Sequence, residues 1–177
     1  ILFSMNCFGR MQTACGLMAL EVHPLHKKQG AALEMIRYFE DYARRHGALL
    51  TLLLPFQISF YRRMGYGFAG KLYEYHLPTA VLPKPEGEAR RHLRLLQPED
   101  FDRVLACHSR FAAQNHGMVE KFEEEVRAAR TDVQVRRIGY CADDGTLRGY
   151  VAYRFESASD TNYTRNRLSV EELVYDD

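Results

Sequence analysis

A nearly continuous apolar run, Ala48–Leu54 (ALLTLLL), lies between Gly47 and Pro55 and constrains the fold of this chain more than any other feature. Such a run predicts a strand covered on both faces, with neighbours that are parallel or splayed. An amphipathic helix precedes it. From Gly30 to His46 the apolar residues Ala32, Leu33, Ile36, Phe39 and Ala43 recur at three- and four-residue steps, while Glu34, Arg37, Glu40, Asp41 and Arg44 fall largely between them. Gly47 is the C-terminal stop of that helix.

Around this core the first half reads strand, strand, helix, strand, helix, strand. Ile1–Phe8 is a strand, Gly9-Arg10 turns it, and Thr13–Val22 returns until Pro24, which has no N–H for a ladder. Ile58–Met64 is a short helix with Arg62 and Arg63 at the negative end of its dipole and Gly65 as a left-handed cap. Phe68–Leu77 is a further strand. Pro78–Arg91, with three prolines and no periodicity, reads as a linker.

Past the linker the pattern restarts. His92–Leu96 is a strand; Pro98, Glu99 and Asp100 open a helix carrying Phe101, Val104, Leu105 and Phe111; a second helix runs from Glu120 to Arg130. Val133–Ala142 and Thr146–Phe155 are strands joined by the hairpin signal Asp143-Asp144-Gly145, and Leu168–Tyr175 is a last strand. The fold class is therefore α/β, of the α+β kind with a mixed sheet flanked by helices. The two halves read as complementary portions of one repeated fold.

Composition excludes several functions. The formal charge is +1 and the arginine pairs are scattered, which leaves no footprint for nucleic acid. Cys7, Cys15, Cys107 and Cys141 show no C-x-x-C spacing and read as reduced thiols. No apolar run reaches the roughly 18 residues that span a bilayer, so the expectation is a cytoplasmic protein with no membrane partner. The chain opens on strand-like sequence at Ile1 rather than on methionine, which points to a longer parent protein.

The chemistry concentrates in Leu20–Ala32, LEVHPLHKKQGAA. A strand, a loop and a helix opening on Gly30 can hold a pyrophosphate: first-turn amides point at the anion, the dipole favours negative charge, and glycine lets the phosphate approach. Lys27 and Lys28 add positive charge, and Ala31 and Ala32 keep the first turn small. The same residues also describe an ordinary helix start. Neither G-x-G-x-x-G nor G-K-S/T is present, so dinucleotide and nucleoside triphosphate loops are excluded.

The pattern Lys27-Lys28-Gln29-Gly30-Ala31-Ala32 resembles the acyl-CoA loop Q/R-x-x-G-x-G/A of the GCN5-related N-acetyltransferase superfamily, with Lys27 in place of the usual Gln or Arg. Lysine supplies the charge without the planar fork. The resemblance extends to Leu20-Glu21-Val22, whose counterpart pairs with the pantetheine arm as an added strand. Phe60-Tyr61-Arg62-Arg63-Met64-Gly65-Tyr66 resembles the F-Y-x-x-x-G-F/Y segment, which implies Tyr61 as the general acid that protonates the departing CoA thiolate. For Phe60 and Tyr66 packing is the default reading.

The combination VHPLHKKQG, then LPF before FYRRMGYG, then a proline-rich linker into a second similar half, resembles the enhanced intracellular survival family of tandem acetyltransferases. That resemblance implies residues 1–79 as the C-terminal part of a first repeat, 80–91 as the linker and 92–177 as the N-terminal part of a second, both incomplete. It implies acetyl-CoA as co-substrate, held by Leu20, Glu21, Val22, Lys27, Lys28, Gln29, Gly30, Ala31, Ala32, Leu33, Phe56 and Gln57. It further implies an amine acceptor (an aminoglycoside, a polyamine or a protein lysine) and a homo-oligomer, hexameric in that family. The general base there is the carboxylate of the protein's own C-terminus, a role that does not pass to Asp177.

Other titratable residues take plainer readings. His23 and His26 lack further ligands for a metal site, and no metal is expected. Glu21 is either a base for the amine or a solvated carboxylate. His108 reads as a satisfied interior histidine.

Overall fold

The computed structural model describes residues 1–84, 87–159, 161–162 and 165–176. Asp177, and two residues of the expected linker, lie outside them. Among the described residues, seven strands and four α-helices follow the order β1 Leu2–Cys7, β2 Arg10–Leu17, α1 Ala31–Arg45, β3 Leu50–Leu53, α2 Ile58–Arg62, β4 Leu93–Leu96, α3 Phe101–Gln114, α4 Glu123–Thr131, β5 Arg136–Cys141, β6 Leu147–Ser157 and β7 Asn166–Tyr175. The chain divides into two compact units. The first comprises Ile1–Ser4 and Gln12–Pro83, and the second Met5–Met11 and Lys84–Asp177, so the tip of the β1–β2 hairpin counts with the second.

In the first unit the sheet order is β1-β2-β3. β2 and β3 run parallel, from Ala14 opposite Leu50 to Leu17 opposite Leu53, as a strand reached through a helix must. α1 covers this sheet through Ile36, Phe39 and Ala43, and Cys15, Phe39 and Ala43 form the core with Leu2, Leu17, Tyr42, Ala48 and Tyr66 around them. Gly47 follows the helix at φ 69°, the left-handed conformation expected of its stop.

Two expectations for this unit fail. Leu49, Leu50 and Leu54 of the apolar run are exposed and no residue of β3 is buried, because one helix covers only one face of a three-stranded sheet. Residues 68–77 are not a strand. Within them the rings of Tyr73 and Tyr75 stack two residues apart at 6.5 Å, as extended backbone allows, but among the described residues no neighbouring segment supplies a ladder.

The second unit is a four-stranded antiparallel sheet, β4-β5-β6-β7. Val104 and Cys107 of α3 pack with Cys141, Leu147, Tyr150, Ala152 and Val174 of the sheet in a buried core. A Cβ on Gly139 would stand 2.5 Å from the Leu147 side chain and about as close to Leu96, so β5 can lie under that core only with glycine there. Asp143-Asp144-Gly145 makes the expected hairpin turn, with Gly145 at φ 82° and its N–H donated to Ala142.

The hairpin tip shows why a buried asparagine is tolerated. Asn6 is 1% exposed, and its Nδ2 donates to the Ala112 and Ala113 carbonyls at the end of α3, at 3.0 and 2.7 Å. The Ala112 carbonyl also accepts the Asn115 N–H at 3.4 Å, and the Asn6 side chain completes the capping of this helix end. The turn lies at Phe8-Gly9 rather than the expected Gly9-Arg10, with φ of 53° and 81°, the two left-handed residues of a type I′ hairpin. Phe8 meets that strain by stacking on His116 at 4.0 Å and donating its N–H to His116 Nδ1 at 3.0 Å.

Candidate functional site

All the site residues named from the sequence lie in the first unit. β2 ends at Leu17, not at Val22. Beyond Leu17 there is nothing to pair with, since β3 ends opposite it at Leu53, and Ala19 at φ 56° turns the chain out of extended conformation. Leu20, Glu21 and Val22 are therefore irregular backbone, with Leu20 and Val22 half-buried and Glu21 exposed.

The loop that follows is built by short-range hydrogen bonds. Pro24–His26 forms a single tight turn whose start is capped by His23 Nδ1, which accepts from the Leu25 N–H at 3.3 Å. Gln29 Nε2 donates back to the Leu25 carbonyl at 3.2 Å. Lys28 then takes φ 63° and Gly30 φ 86°, and α1 begins at Ala31 with Gly30 as its left-handed N-cap. No side chain caps this end.

The first helical bond is Glu34 N–H to Gly30 carbonyl at 3.1 Å, so the amides of Ala31, Ala32 and Leu33 precede the ladder, next to exposed Lys27, Lys28 and Gln29. A Cβ on Gly30 would meet no atom within 4 Å. Glycine is needed there for its backbone angle and the space above it stays open. Fifteen residues of aligned peptide dipoles stand behind this end. The arrangement can bind an anion.

Tyr61 sits on α2 and is 4% exposed. Phe60 packs edge-on at 5.1 Å, Phe56 at 5.5 Å and Tyr66 at 6.1 Å, a cage of aromatic edges that fixes the phenol ring. Burial pushes its pKa above the ordinary tyrosine value, so the phenol keeps its proton at neutral pH. Burial likewise raises Tyr66, tempered by the Thr51 hydroxyl; the Tyr66 hydroxyl itself is buried without a partner within bonding distance among the described residues.

Tyr61 lines a cleft of about 240 Å³ formed by Thr51–Pro55, Ile58, Arg62, Tyr66 and Gly67–Gly70. None of residues 20–33 lines it, nor do Phe56 and Gln57, which are exposed at the start of α2. The structure thus groups Tyr61 with Phe56 through ring contact, and keeps the Gly30 loop as a separate surface of the same unit. The cleft walls Thr51, Leu53, Arg62 and Gly67–Gly70 were not among the residues named from sequence. Their one signal is the pair Gly67 and Gly70 after the Tyr66 motif, small residues that keep a wall thin.

His23 and His26 face each other with ring centroids 5.9 Å apart. Among the described residues no group of three or more His, Cys, Asp or Glu side chains is placed to hold a metal ion. The four cysteines are free. No helix of the described residues is long and apolar enough to cross a membrane. His108 is buried as expected, but its Nδ1 has no hydrogen-bond partner among the described residues, which corrects the reading of a satisfied histidine.

Residues 1–69 match the family model of the acetyltransferase (GNAT) domain. No curated protein matches the sequence. Among solved structures, a GCN5-related N-acetyltransferase from Anabaena variabilis ATCC 29413 superposes with a TM-score of 0.74 at 16% identity, over 98% of this chain and 44% of its own. One from Kribbella flavida gives 0.67 at 20% identity, over 99% and 42%. A conserved protein of unknown function from Enterococcus faecalis V583, described as a probable N-acyltransferase, gives 0.69 at 20% identity, over 98% and 43%. The chain thus spans less than half the length of these proteins, and its fold is the α+β fold of the GCN5-related N-acetyltransferases.

Proposed function

We propose that this chain is part of an acyl-CoA-dependent N-acetyltransferase that moves an acetyl group from acetyl-CoA to a primary amine by direct attack. The observation that carries the reading is the start of α1: a left-handed Gly30 N-cap, unpaired first-turn amides of Ala31–Leu33 and the exposed Lys27 and Lys28. In this reading those groups hold the CoA pyrophosphate, with Gln29 in the loop, while Leu20, Glu21 and Val22 meet the pantetheine arm and Phe56 and Gln57 flank it. The acceptor is an amine such as an aminoglycoside, a polyamine or a protein lysine, and the protein works as a homo-oligomer.

Tyr61 is the proton donor in this scheme. The amine attacks the thioester carbonyl, the tetrahedral intermediate collapses, the CoA sulfur leaves with the electron pair of the C–S bond and takes the phenolic proton, and the surplus proton of the attacking nitrogen passes through solvent to restore the phenol. Free tyrosine and thiol differ by about 1.5 pKa units, so the transfer is uphill by roughly 2 kcal/mol. Burial of Tyr61 widens that gap. A thiolate brought beside Tyr61 and out of water would be a stronger base than a free one, and this would narrow it again.

The test is calorimetry of the full-length protein with acetyl-CoA, followed by thiol release against a panel of amines. Binding at micromolar strength with amine-dependent thiol release supports the reading; no binding overturns it. Tyr61→Phe should keep binding and lose turnover. Wild-type turnover in that variant removes Tyr61 from the mechanism.

A second reading has one observation in its favour: none of residues 20–33 lines the cleft that holds Tyr61. A non-catalytic acyl-CoA-binding or assembly module of the same fold would bind acetyl-CoA and release no thiol toward any amine.

A further inference from the structure

The cleft beside Tyr61 is larger and more apolar than an acetyl group requires. Its volume is about 240 Å³. An apolar cavity of about 150 Å³ is enough to bind benzene, so this one has room for about ten non-hydrogen atoms. The sulfur, carbonyl and methyl of an acetyl thioester fill less than half of that.

The walls decide what suits the remainder. Leu52, Leu53, Leu54, Ile58 and Phe68 line the cleft, and Leu54, Ile58 and Phe68 among them are exposed. Arg62 is its one charged group among the described residues, and no carboxylate faces it. A carbon chain laid there would cover apolar side chains that now meet water. An ammonium group would meet a like charge and find no anionic partner.

Two glycines keep the space open. Gly67 and Gly70 also line the cleft. Neither has a positive φ, and a Cβ at either would meet no atom within 4 Å. Gly65, just before them, is different: at φ 94° its backbone favours glycine. At Gly67 and Gly70 neither the backbone angle nor packing among the described residues calls for one. What their missing side chains leave is room.

In the proposed reaction Tyr61 protonates the CoA sulfur, so the carbon chain carried by that sulfur shares its cleft, and the inference rests on that reading. We propose that this cleft is an acyl-chain site, and that the preferred donor is an acyl-CoA with an unbranched apolar chain of about six carbons, acetyl-CoA being a weaker one. Gly67 and Gly70 set the length that fits. Each methylene the cleft takes from water tightens binding by up to about fourfold.

Calorimetry of the full-length protein with acetyl-, butanoyl-, hexanoyl- and dodecanoyl-CoA tests this. Hexanoyl-CoA should bind about tenfold or more tightly than acetyl-CoA, and the gain per methylene should stop beyond about eight carbons. In Gly67→Leu/Gly70→Leu, whose side chains take up the space, the advantage of hexanoyl-CoA should fall to about twofold or less. Acetyl-CoA binding with no dependence on chain length overturns the acyl-chain site alone and leaves the acetyltransferase reading in place. No binding of any thioester overturns both. A length dependence that the double variant leaves unchanged also overturns the proposal, because the chain then lies elsewhere. Should the double variant not fold, thiol release by the wild type decides. An optimum of kcat/KM near six acyl carbons supports the site; an optimum at acetyl, or a gain seen only on lengthening an n-alkylamine acceptor, overturns it.

Discussion

The two units place their apolar residues differently. In the second, Val104, Cys107, Leu147, Tyr150 and Val174 are sealed between α3 and a four-stranded sheet, and the polar groups that enter are mostly matched: Asn6 to two helix-end carbonyls, Lys121 to two carboxylates. In the first, Leu49, Leu54, Phe56, Phe68 and Leu72 stand exposed around a smaller core cluster of Cys15, Phe39 and Ala43. The difference separates a tightly packed unit from one that leaves surface open. Tight burial in the second unit makes single substitutions costly, whereas the first unit keeps open amides, an exposed loop and a cleft, which are the features a ligand needs.

The largest expected effect probes the sealed core. Leu147→Ala removes a buried side chain that touches Gly139 and the α3 face, and should cost about 3 kcal/mol in urea unfolding of the second unit. A loss below about 1 kcal/mol would mean that this core is as loose as that of the first unit. Tyr61→Phe comes next. It should lower turnover about a hundredfold, the low end for a general acid, while leaving the unfolding midpoint within about 0.5 kcal/mol.

Asn6→Ala should destabilise the second unit by about 2 kcal/mol, since two hydrogen bonds from a buried side chain to the end of α3 would be lost; chemical unfolding measures it directly. Gly30→Ala should cost about 1 kcal/mol by forcing a Cβ into left-handed backbone, and should weaken acetyl-CoA binding in calorimetry more than it weakens the fold. The smallest effect is Leu54→Ala. That side chain is 88% exposed, and its loss should leave stability within about 0.5 kcal/mol, which sharpens the contrast with Leu147.

The legible parts of the fold were those whose hydrogen bonds close over a few residues. The spacing of Ile36, Phe39 and Ala43 predicted α1 to within a residue at each end, and Gly30 and Gly47 marked its two left-handed boundaries. α3 and the hairpin at Gly145 were legible for the same reason. The strands of the second unit were placed to within about three residues because consecutive antiparallel neighbours follow each other in the chain.

The candidate site was legible as a loop and a tyrosine, not as a cleft. Which walls enclose Tyr61 depends on where β3 and Gly67–Gly70 pass, and no local pattern encodes that. Asn6 and Lys121 escaped notice for a related reason: their partners lie 106 and 51 residues away.

By itself, then, the sequence determined where α1 and α3 lie and which face each buries, the strands of the second unit and the glycine turns at Gly47 and Gly145, because these follow from side-chain periodicity and backbone sterics within one or two turns. The tertiary structure alone decided that β2 stops at Leu17, that residues 68–77 form no ladder, that the apolar run of β3 is covered on one side, and that His108 is buried with an unpaired nitrogen. A strand needs a partner, and a buried polar atom needs one too. Whether that partner arrives is settled by distant parts of the chain.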